Sequence, residues 1–311
     1  MQVFRREFPP SQRPVVTIGS FDGVHLGHRK ILRRLVDLAK AGEGESVVVT
    51  FEPHPRHVLF PEDEPLKLLN TLEEKLRLLQ ETGVDKVWVI EFTPEFSKIS
   101  YHDFIVRYLV EQLGAYVVVV GYDHRFGKNR TGGLDELRQY ARDYRFRVEE
   151  IPAFQIDESN VSSTKIRRAL SEGDVVRAAK YLGYRYPISG RVLQGRKLGR
   201  TIGFPTANLD VSPVKLLPAV GVYAVWASVE GGAEHPAMMN IGFRPTVSDD
   251  ASPSVEVHLI GVDEDLYNRT LTVRLVARLR DEIAFPSLED LKNRLMQDRA
   301  ETLKILGVSR S

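Results

Sequence analysis

The stretch Val15-Val-Thr-Ile-Gly-Ser-Phe-Asp-Gly-Val-His-Leu-Gly-His28 decides the fold of the first half of this chain. Its apolar start, Val15–Ile18, runs into a glycine-containing loop that ends at two histidines three residues apart. After them, the segment Arg29–Lys40 repeats its apolar residues at helical spacing. The pattern predicts a strand, a tight turn and the first turn of a helix, where backbone N–H groups and the helix dipole favour a bound anion.

The two histidines, His25 and His28, allow two interpretations. Imidazoles on the first turn of a helix can donate hydrogen bonds to phosphate oxygens, and three nearby glycines relieve steric crowding. These glycines are Gly19, Gly23 and Gly27. A zinc pair is the alternative, because His54-x-x-His57 repeats the spacing. Since no carboxylate lies at ligand spacing and prolines interrupt the second pair, we expect a phosphate site.

Up to about residue 183, short β-branched runs alternate with helical patterns. The predicted strands are Val15–Ile18, Val47–Phe51, Val87–Phe92, Tyr116–Gly121 and Phe146–Ile151. The predicted helices are Arg29–Lys40, Leu72–Glu81, His102–Gln112, Leu134–Asp143, Ser163–Leu170 and Asp174–Tyr181. This alternation predicts an α/β fold: a parallel sheet with helices on both faces, whose ligands bind beyond the carboxyl ends of the strands.

After Tyr186 the pattern changes to strands without intervening helices. The predicted strands are Ile188–Leu193, Gly221–Val229, Pro236–Ile241, Ser254–Ile260 and Leu271–Leu279. They indicate an antiparallel barrel or sandwich, followed by a terminal helix that begins at the N-cap Ser287. We therefore expect two domains, residues 1–184 and 185–311.

Composition limits the class of protein. The chain has 43 basic and 42 acidic residues, and its net charge of +1 gives no electrostatic basis for binding nucleic acid or an anionic membrane. The absence of cysteine excludes disulfides, thiolate catalysis and cysteine-ligated metal centres. No apolar stretch approaches the ~18 residues of a membrane span, and the N-terminus has no apolar signal region. We therefore expect a cytoplasmic protein.

Two further segments of the first half carry polar side chains suited to a nucleotide. In Val161-Ser-Ser-Thr-Lys-Ile-Arg-Arg-Ala-Leu170 the hydroxyls and Arg167 either form a phosphate clamp at a helix start or belong to a capped basic surface helix. The loop Gly121-Tyr-Asp-His-Arg-Phe-Gly127 follows a predicted strand. It is either a simple turn or a place for contacts with a base and a ribose.

The second half contains two such segments. The first is the glycine-rich and basic segment Gly195-Arg-Lys-Leu-Gly-Arg-Thr-Ile-Gly-Phe-Pro-Thr-Ala-Asn208, which is either a basic turn or a loop that covers phosphates. Thr206 and Asn208 lie on one side of an extended stretch within it, where their oxygens would suit Mg²⁺. In Val255–Ile260, Glu256 and His258 share one face of a strand. That face is either solvated or lines a barrel mouth, where Glu256 would accept a proton from a substrate hydroxyl.

Together these segments resemble the bifunctional bacterial FAD synthetases, which fuse an FMN adenylyltransferase to a riboflavin kinase. The first half supplies Gly19-Ser-Phe-Asp-Gly-Val-His-Leu-Gly-His28, Thr50-Phe-Glu-Pro-His-Pro, Tyr122-Asp-His-Arg-Phe-Gly127 and Ser162-Ser-Thr-Lys-Ile-Arg167. The second half supplies Gly203-Phe-Pro-Thr-Ala-Asn208, Gly221-Val-Tyr-Ala, Asn240-Ile-Gly-Phe-Arg-Pro-Thr246, Val255-Glu-Val-His258 and Asp265-Leu-Tyr267. Their order along the chain makes the resemblance specific.

The resemblance implies a Rossmann-like adenylyltransferase domain in residues 1–184. His25 and His28 would neutralise charge on the reacting phosphates of FMN and ATP, and Ser163, Thr164 and Arg167 would hold the departing pyrophosphate. Further nucleotide contacts would come from Gly19, Phe21, Asp22, Gly23 and Asp123. The flavin would contact Phe51, Pro53 and His54.

The resemblance also implies a six-stranded riboflavin kinase barrel in residues 185–311, ending in a helix. Thr206 and Asn208 would hold Mg²⁺ and ATP, and Glu256 would be the general base for the riboflavin hydroxyl. The loop residues Gly195, Lys197 and Gly203 would cover the ATP phosphates. The flavin would lie near Arg280, Glu282 and Phe285.

The ligands implied are small molecules: riboflavin, FMN, FAD, ATP, ADP and pyrophosphate, with Mg²⁺ and ATP used at both sites. We expect a monomer or a weak homo-oligomer. Two other hypotheses compete with this one. A transferase acting on phosphopantetheine or nicotinamide mononucleotide would share the histidine signature but would need no second domain, and a non-enzymatic nucleotide carrier would not need His25, His28, Thr206, Asn208 and Glu256 together.

Overall fold

A computed structural model describes residues 1–61, 65–122, 125–128, 131–156, 159–194, 198–243 and 253–308. Contacts divide the chain into two units, Met1–Ser163 and Thr164–Ser311. The division precedes the boundary expected at residue 184, because the helical segment after Ser163 packs with the second unit. There, the Ala219 N–H donates to the Leu170 carbonyl (3.0 Å) and the Arg278 side chain packs against Gly173.

The first unit is built on a six-stranded parallel sheet. Its strands are β1 (Gln2–Phe4), β2 (Val15–Ile18), β3 (Ser46–Glu52), β4 (Lys86–Glu91), β5 (Val117–Gly121) and β6 (Arg147–Ile151). They lie in the order β1-β4-β3-β2-β5-β6, and each neighbouring pair is parallel. The central strands β2 and β5 are buried along nearly their whole length, as expected for a parallel sheet covered by helices. The predicted parallel sheet is confirmed.

The helices of the first unit follow the predicted pattern except for the short α2, which was not predicted. They are α1 (Leu26–Ala41), α2 (Pro55–Leu59), α3 (Leu72–Gln80), α4 (Tyr101–Asp103) and α5 (Leu134–Tyr144). Helix α4 continues directly as a π-helix over Phe104–Gln112, where the sequence predicted one ordinary helix. Helix α1 packs on β2, β3 and β5. Because α1 follows the loop that leaves β2, its N-terminus lies at the carboxyl edge of the sheet.

The second unit is a closed antiparallel barrel, which excludes the sandwich alternative. Its strands are β9 (Pro187–Leu193), β10 (Ala207–Val211), β11 (Gly221–Val229), β12 (Glu234–Phe243), β13 (Pro253–Leu259) and β14 (Thr270–Arg280), in the closed order β10-β13-β12-β11-β14-β9. A short hairpin of β7 (Gln155–Ile156) and β8 (Ser159–Asn160) precedes the barrel in the chain and belongs to the first unit. The pattern of strands in the sequence did not reveal β10.

Helices flank the barrel strands along the chain. Helix α6 (Ser163–Ser171) spans the division between the units, and α7 (Val175–Leu182) contacts β14. Helix α8 (Leu198–Thr201) is a single turn before β10, and α9 (Leu288–Ile305) packs on β11, β12 and β14. Helix α9 begins as predicted, because the Ser287 side chain accepts a hydrogen bond from the Asp290 N–H. Within the described ranges, every helix is too short or too polar to cross a membrane.

Candidate functional sites

The loop between β2 and α1 holds the histidine pair in a constrained backbone. Phe21, Gly23 and Val24 have φ values of 48°, 91° and 35°, and a positive φ is strained for a bulky or β-branched residue. Phe21 and Val24 are nevertheless buried, so packing holds the loop in this conformation. A Cβ on Gly27 would lie 3.2 Å from the His25 ring, which explains the glycine between the two histidines.

His25 is the N-cap of α1. Its Nδ1 accepts a hydrogen bond from the His28 N–H at 3.3 Å, and this places the proton of the neutral ring on Nε2. The His25 and His28 rings stack with their centroids 3.6 Å apart and 14° between their planes. The cap therefore makes Nε2 of His25 a hydrogen-bond donor at the positive end of a helix, which suits a phosphate oxygen.

His28 lies in a site that disfavours its protonated form. Phe21 meets its ring edge-on at 5.2 Å, and its Nδ1 is buried with no hydrogen-bond partner in the described parts of the chain. Burial, followed by the nearby charges of His25 and Lys75, lowers the pKa of His28 well below its usual value of 6.5. His28 is therefore neutral at pH 7.

Asp22 and Ser163 fix the loop from both sides. The Asp22 carboxylate accepts hydrogen bonds from the Leu69 and Asn70 N–H groups, at 2.9 and 3.3 Å, just before α3. The Ser163 hydroxyl donates to the Asp22 carbonyl at 2.8 Å. The N-terminus of α6 is thus bonded to the histidine loop through its first residue, and the Asp22 carboxylate has a structural role.

Lys75 is a functional candidate that no motif indicated. It lies on the buried face of α3, with 6% of its surface exposed, and its Nζ donates to the Ser20 carbonyl, the Thr50 hydroxyl and the Phe51 carbonyl at 3.2, 3.1 and 3.4 Å. Burial lowers the pKa of its amine, against the opposing charges of Glu52 and Asp22. The signal available in the sequence was a lysine at helical spacing from Leu78 and Leu79, on a buried face that also includes Glu74.

The residues expected to contact flavin follow β3. Phe51 lies in a group of aromatic rings with Phe92 and Phe96, with centroids 5.4 to 5.8 Å apart. Pro53 is exposed, and the His54 Nδ1 caps α2 by accepting from the Arg56 N–H at 3.2 Å. His57 bonds the Leu66 carbonyl at 2.7 Å. The zinc alternative gains no support, since the described residues contain no cluster of three His, Asp or Glu side chains able to hold a metal.

The remaining residues predicted to contact nucleotides lie in α6 and in loops. Thr164 and Arg167 lie in the first turns of α6, Thr164 exposed and Arg167 half-buried. Gly19 packs against the Phe21 ring, since a Cβ there would lie 3.2 Å from it. Gly203 has a φ of 83° and open space around it. Asp123, Gly195 and Lys197 lie outside the described residues.

In the barrel, three predicted site residues come together where β10 meets β13. Asn208 is the register partner of Glu256 across the two strands, and the Thr206 hydroxyl donates to Glu256 Oε2 at 3.3 Å. On β13, Val255, Val257 and Leu259 face the barrel interior and are buried. The opposite face of the β10–β13 pair therefore brings together the Thr206 hydroxyl, the Asn208 amide and the Glu256 carboxylate, a set of oxygen ligands that suits Mg²⁺.

His258 holds the segment before Thr206 in place. Its Nδ1 bonds the Pro205 carbonyl at 2.8 Å, and Phe204 packs against its ring at 5.1 Å. Burial lowers the pKa of His258, although the bond to Pro205 opposes this. The outward face of β13 is thus covered at His258 and not solvated along its length, contrary to the simpler reading of the alternating pattern.

A turn and a pocket border this site. The Phe204 N–H donates to the Gly199 carbonyl at 2.8 Å, which closes the turn leading into Thr206. Beside Thr206 a pocket is lined by residues of β10, β13 and the loop after β13, among them Pro205, Ala207, Leu259, Asp263 and Tyr267. Tyr267 is fixed there, because its N–H donates to Asp265 Oδ1 at 3.0 Å.

The end of β14 and the segment after it carry the remaining predicted flavin residues. The Arg280 guanidinium makes a bidentate bond to the fully buried Asp298 on α9, with N···O distances of 2.7 to 3.1 Å. It also lies 5.7 Å from the centroid of the Phe285 ring. Glu282 accepts a hydrogen bond from Asn240 Nδ2 at 3.2 Å. Arg280 thus anchors α9 to the barrel as well as supporting Phe285.

The first unit has a histidine pair at the N-terminus of a helix beside a parallel sheet, and the second has a set of oxygen ligands on a closed barrel. Together they define the class of protein as a two-domain nucleotide-dependent transferase. Two family models match the chain: FAD synthetase over residues 8–165 and riboflavin kinase over residues 182–306. The chain belongs to the bifunctional riboflavin kinase/FMN adenylyltransferase family.

Curated relatives agree over nearly the full length. The bifunctional riboflavin kinase/FMN adenylyltransferase of Listeria monocytogenes is 38% identical over 93% of this chain and 91% of its own, and that of Escherichia coli K12 is 39% identical over 97% and 95%. A crystal structure from Streptococcus pneumoniae, described as a macrolide-efflux protein, matches with a TM-score of 0.87 at 29% identity, covering 97% of this chain and 99% of that one. The family resemblance inferred from the motifs is confirmed.

Proposed function

We propose that this chain makes FAD from riboflavin in two ATP-dependent steps, using the two sites described above. As a member of its family the chain is an enzyme with riboflavin kinase and FMN adenylyltransferase activities. The observation that carries the proposal is the presence of both family models in one chain, each matching a region that contains its own group of polar site residues. A pantetheine or nicotinamide acceptor is disfavoured, because neither would explain the kinase barrel.

In the kinase step, the 5′-hydroxyl of riboflavin attacks the γ-phosphorus of ATP, and ADP leaves with the electrons of the broken P–O bond. Glu256 accepts the hydroxyl proton as the new bond forms. Thr206 and Asn208 hold Mg²⁺ with the ATP phosphates, a role supported by their oxygen atoms beside Glu256. When bound, Mg²⁺ neutralises charge on those phosphates.

The pocket beside Thr206 receives the nucleoside of ATP in this proposal. Its lining includes Thr206 itself, so phosphates held there lie at its edge. Gly203, together with Gly195 and Lys197, covers the phosphates. On the flavin side, Phe285 and Glu282 are supported by Arg280 and Asn240.

In the adenylyl-transfer step, a phosphate oxygen of FMN attacks the α-phosphorus of ATP, and the bond to the β-phosphate breaks to release pyrophosphate. The donor at Nε2 of His25 and the neutral ring of His28 stabilise the charge on the transferring phosphate. Thr164 and Arg167 hold the leaving pyrophosphate, and Ser163, whose hydroxyl donates to the Asp22 carbonyl, holds the start of α6 at the histidine loop. Gly19, Phe21, Asp22, Gly23 and Asp123 shape the nucleotide side. Phe51, Pro53 and His54 contact the flavin. Positioning supplies most of the catalysis.

Residues 1–184 carry adenylyl transfer and residues 185–311 carry the kinase. The protein works in the cytoplasm as a monomer or a weak homo-oligomer, with small molecules as its ligands.

The direct test is to incubate the protein with riboflavin, ATP and Mg²⁺ and to separate the flavins by chromatography. We expect FMN to appear first and FAD to follow. Replacing riboflavin by FMN should give FAD without a lag. The proposal fails if neither FMN nor FAD forms.

A further inference from the structure

Lys75 joins the histidine loop to the flavin-side end of β3. Its Nζ donates to Ser20 in that loop and to Thr50 and Phe51 near the end of β3. We propose that Lys75 is a positioning residue for adenylyl transfer, which fixes the loop carrying His25 and His28 relative to β3 and supplies a fixed positive charge to the site. The inference rests on the function proposed for the histidine pair.

The hydrogen bonds explain how one side chain can set this geometry. An ammonium group has three donors, and Lys75 directs one to each of three acceptors on two chain segments. The Thr50 hydroxyl also donates to the Ser20 carbonyl at 3.3 Å, so the same three groups form a closed network. A displacement of β3 relative to the loop would break bonds in a buried place, where an unpaired donor is costly.

The charges around Lys75 explain why a cation is tolerated there. The negative charges of Glu52 and Asp22 raise the pKa of Lys75 and so counteract the lowering caused by burial. The charge of Lys75 in turn contributes to lowering the pKa of His28. Burial, with smaller contributions from His25 and Lys75, thus keeps His28 uncharged before the substrates arrive. The site then binds two highly anionic substrates with the Lys75 amine held by three hydrogen bonds and His28 as a neutral group.

Lys75 has a natural comparison on the same helix. Arg77 is exposed, two residues further along α3, and carries the same charge. Replacing either residue by methionine removes one positive charge from α3. Only the change at Lys75 removes the three bonds, so a difference between the two variants reports the buried position and not the net charge.

The test uses the full-length enzyme with FMN, ATP and Mg²⁺, and follows FAD formation. For Lys75→Met we expect kcat to fall by about ten- to a hundredfold, because small misplacements of reacting groups have effects of this size. The pKa of His28, followed by NMR titration of the imidazole, should move upward toward its ordinary value. Arg77→Met should leave both quantities unchanged, and riboflavin kinase activity should be unchanged in every variant.

Two milder variants decide the matter if Lys75→Met does not fold. Thr50→Val removes one acceptor and keeps the charge, so kcat for FAD formation should fall several-fold while the pKa of His28 stays low. Lys75→Arg keeps the charge with a different geometry, and should act in the same direction as Thr50→Val. A kcat for FAD formation equal to wild type in these two variants would overturn the positioning role.

The same series separates this inference from the function on which it rests. His28→Ala should abolish most FAD formation. If His28→Ala remains fully active, the function proposed for the loop is wrong. If His28→Ala is inactive while Lys75→Met has wild-type kcat and an unchanged His28 titration, only the role of Lys75 is wrong.

Discussion

The Thr206 hydroxyl donates a hydrogen bond of 3.3 Å to the Glu256 carboxylate, across the junction of β10 and β13. The two residues are 50 positions apart in the chain, and the register of these strands, with Asn208 opposite Glu256, brings them together. The residue proposed to hold the cation and the residue proposed to accept the proton are therefore joined by one hydrogen bond. Changes at either residue should act on the kinase reaction alone.

We predict that Glu256→Gln abolishes FMN formation from riboflavin, because glutamine keeps the shape of the side chain but cannot accept the hydroxyl proton. We expect kcat to fall by at least about a hundredfold, within the usual range for a general base. Chromatography of the flavins gives the measurement. FAD formation from supplied FMN should continue at the wild-type rate, and its loss would argue against independent sites.

The reverse result is expected for His28→Ala. Removing the imidazole takes away charge stabilisation at the transferring phosphate, so FAD formation from FMN should fall by about a hundred- to a thousandfold. Riboflavin should still be converted to FMN, which then accumulates. Retention of FAD formation would show that the histidine pair has no part in adenylyl transfer.

Much of the fold around both candidate sites could be predicted from local sequence patterns. The strand, loop and helix around His25 produce a change of period from 2 to 3.6 within one short segment, and the observed β2 has the predicted bounds. The pattern did not reveal β10, because Ala207–Val211 directly follows, and overlaps, a motif that was interpreted by its chemistry. Its place in the barrel depends on pairing with β9 and β13, which no local pattern contains.

Other features depended on tertiary structure in the same way. The π-helix over Phe104–Gln112 has apolar residues that fit an ordinary helix, so the period alone does not distinguish the two. The residues of α6 and α7 continue the helical pattern of the first half, yet the contacts assign Thr164 onward to the second unit. Arg280 was expected beside the flavin, and its bond to Asp298 links it to a helix that begins eight residues later in the chain.

Gly27→Ala tests the packing of the histidine pair. A Cβ at this position would lie 3.2 Å from Nδ1 and Cε1 of His25, so the ring must move. We predict a fall of about tenfold in FAD formation with unchanged kinase activity. Because alanine favours a helix over glycine by up to about 1 kcal/mol, the free energy of unfolding should not decrease appreciably. A destabilised variant, or one with full FAD formation, would contradict this explanation of the glycine.

The two buried histidines predict how stability depends on pH. The pKa values of His28 and His258 are lowered in the folded state, so below the ordinary value of 6.5 the unfolded chain binds protons that the folded chain does not. Stability should therefore fall as the pH decreases from 6.5 to 5, by up to about 2 kcal/mol for each histidine. Above pH 6.5 both states are neutral at these positions, and the effect disappears.

Chemical denaturation at pH 7 and pH 5 measures this difference. The carboxylates with lowered pKa values, Glu45 and Glu172, start from an ordinary value of 4.5 and contribute at lower pH. Replacing His258 by asparagine should reduce the pH dependence of the second unit and leave that of the first. Equal stability at the two pH values would contradict the lowered pKa values.

Asp298→Asn should weaken the barrel where α9 is attached. Asp298 is fully buried, accepts the bidentate bond from Arg280, and forms an ion pair with Arg294 at 2.9 Å. Removing one partner of such a buried ion-pair network lowers the free energy of unfolding by about 3 kcal/mol, and chemical denaturation of the second unit should show this decrease. Since Arg280 also contacts Phe285, the KM for riboflavin should rise several-fold while FAD formation from FMN persists. Glu301→Gln changes an exposed residue on the same helix and is the matched control. If it lowers the free energy of unfolding as much as Asp298→Asn does, the stabilising role of Asp298 is contradicted.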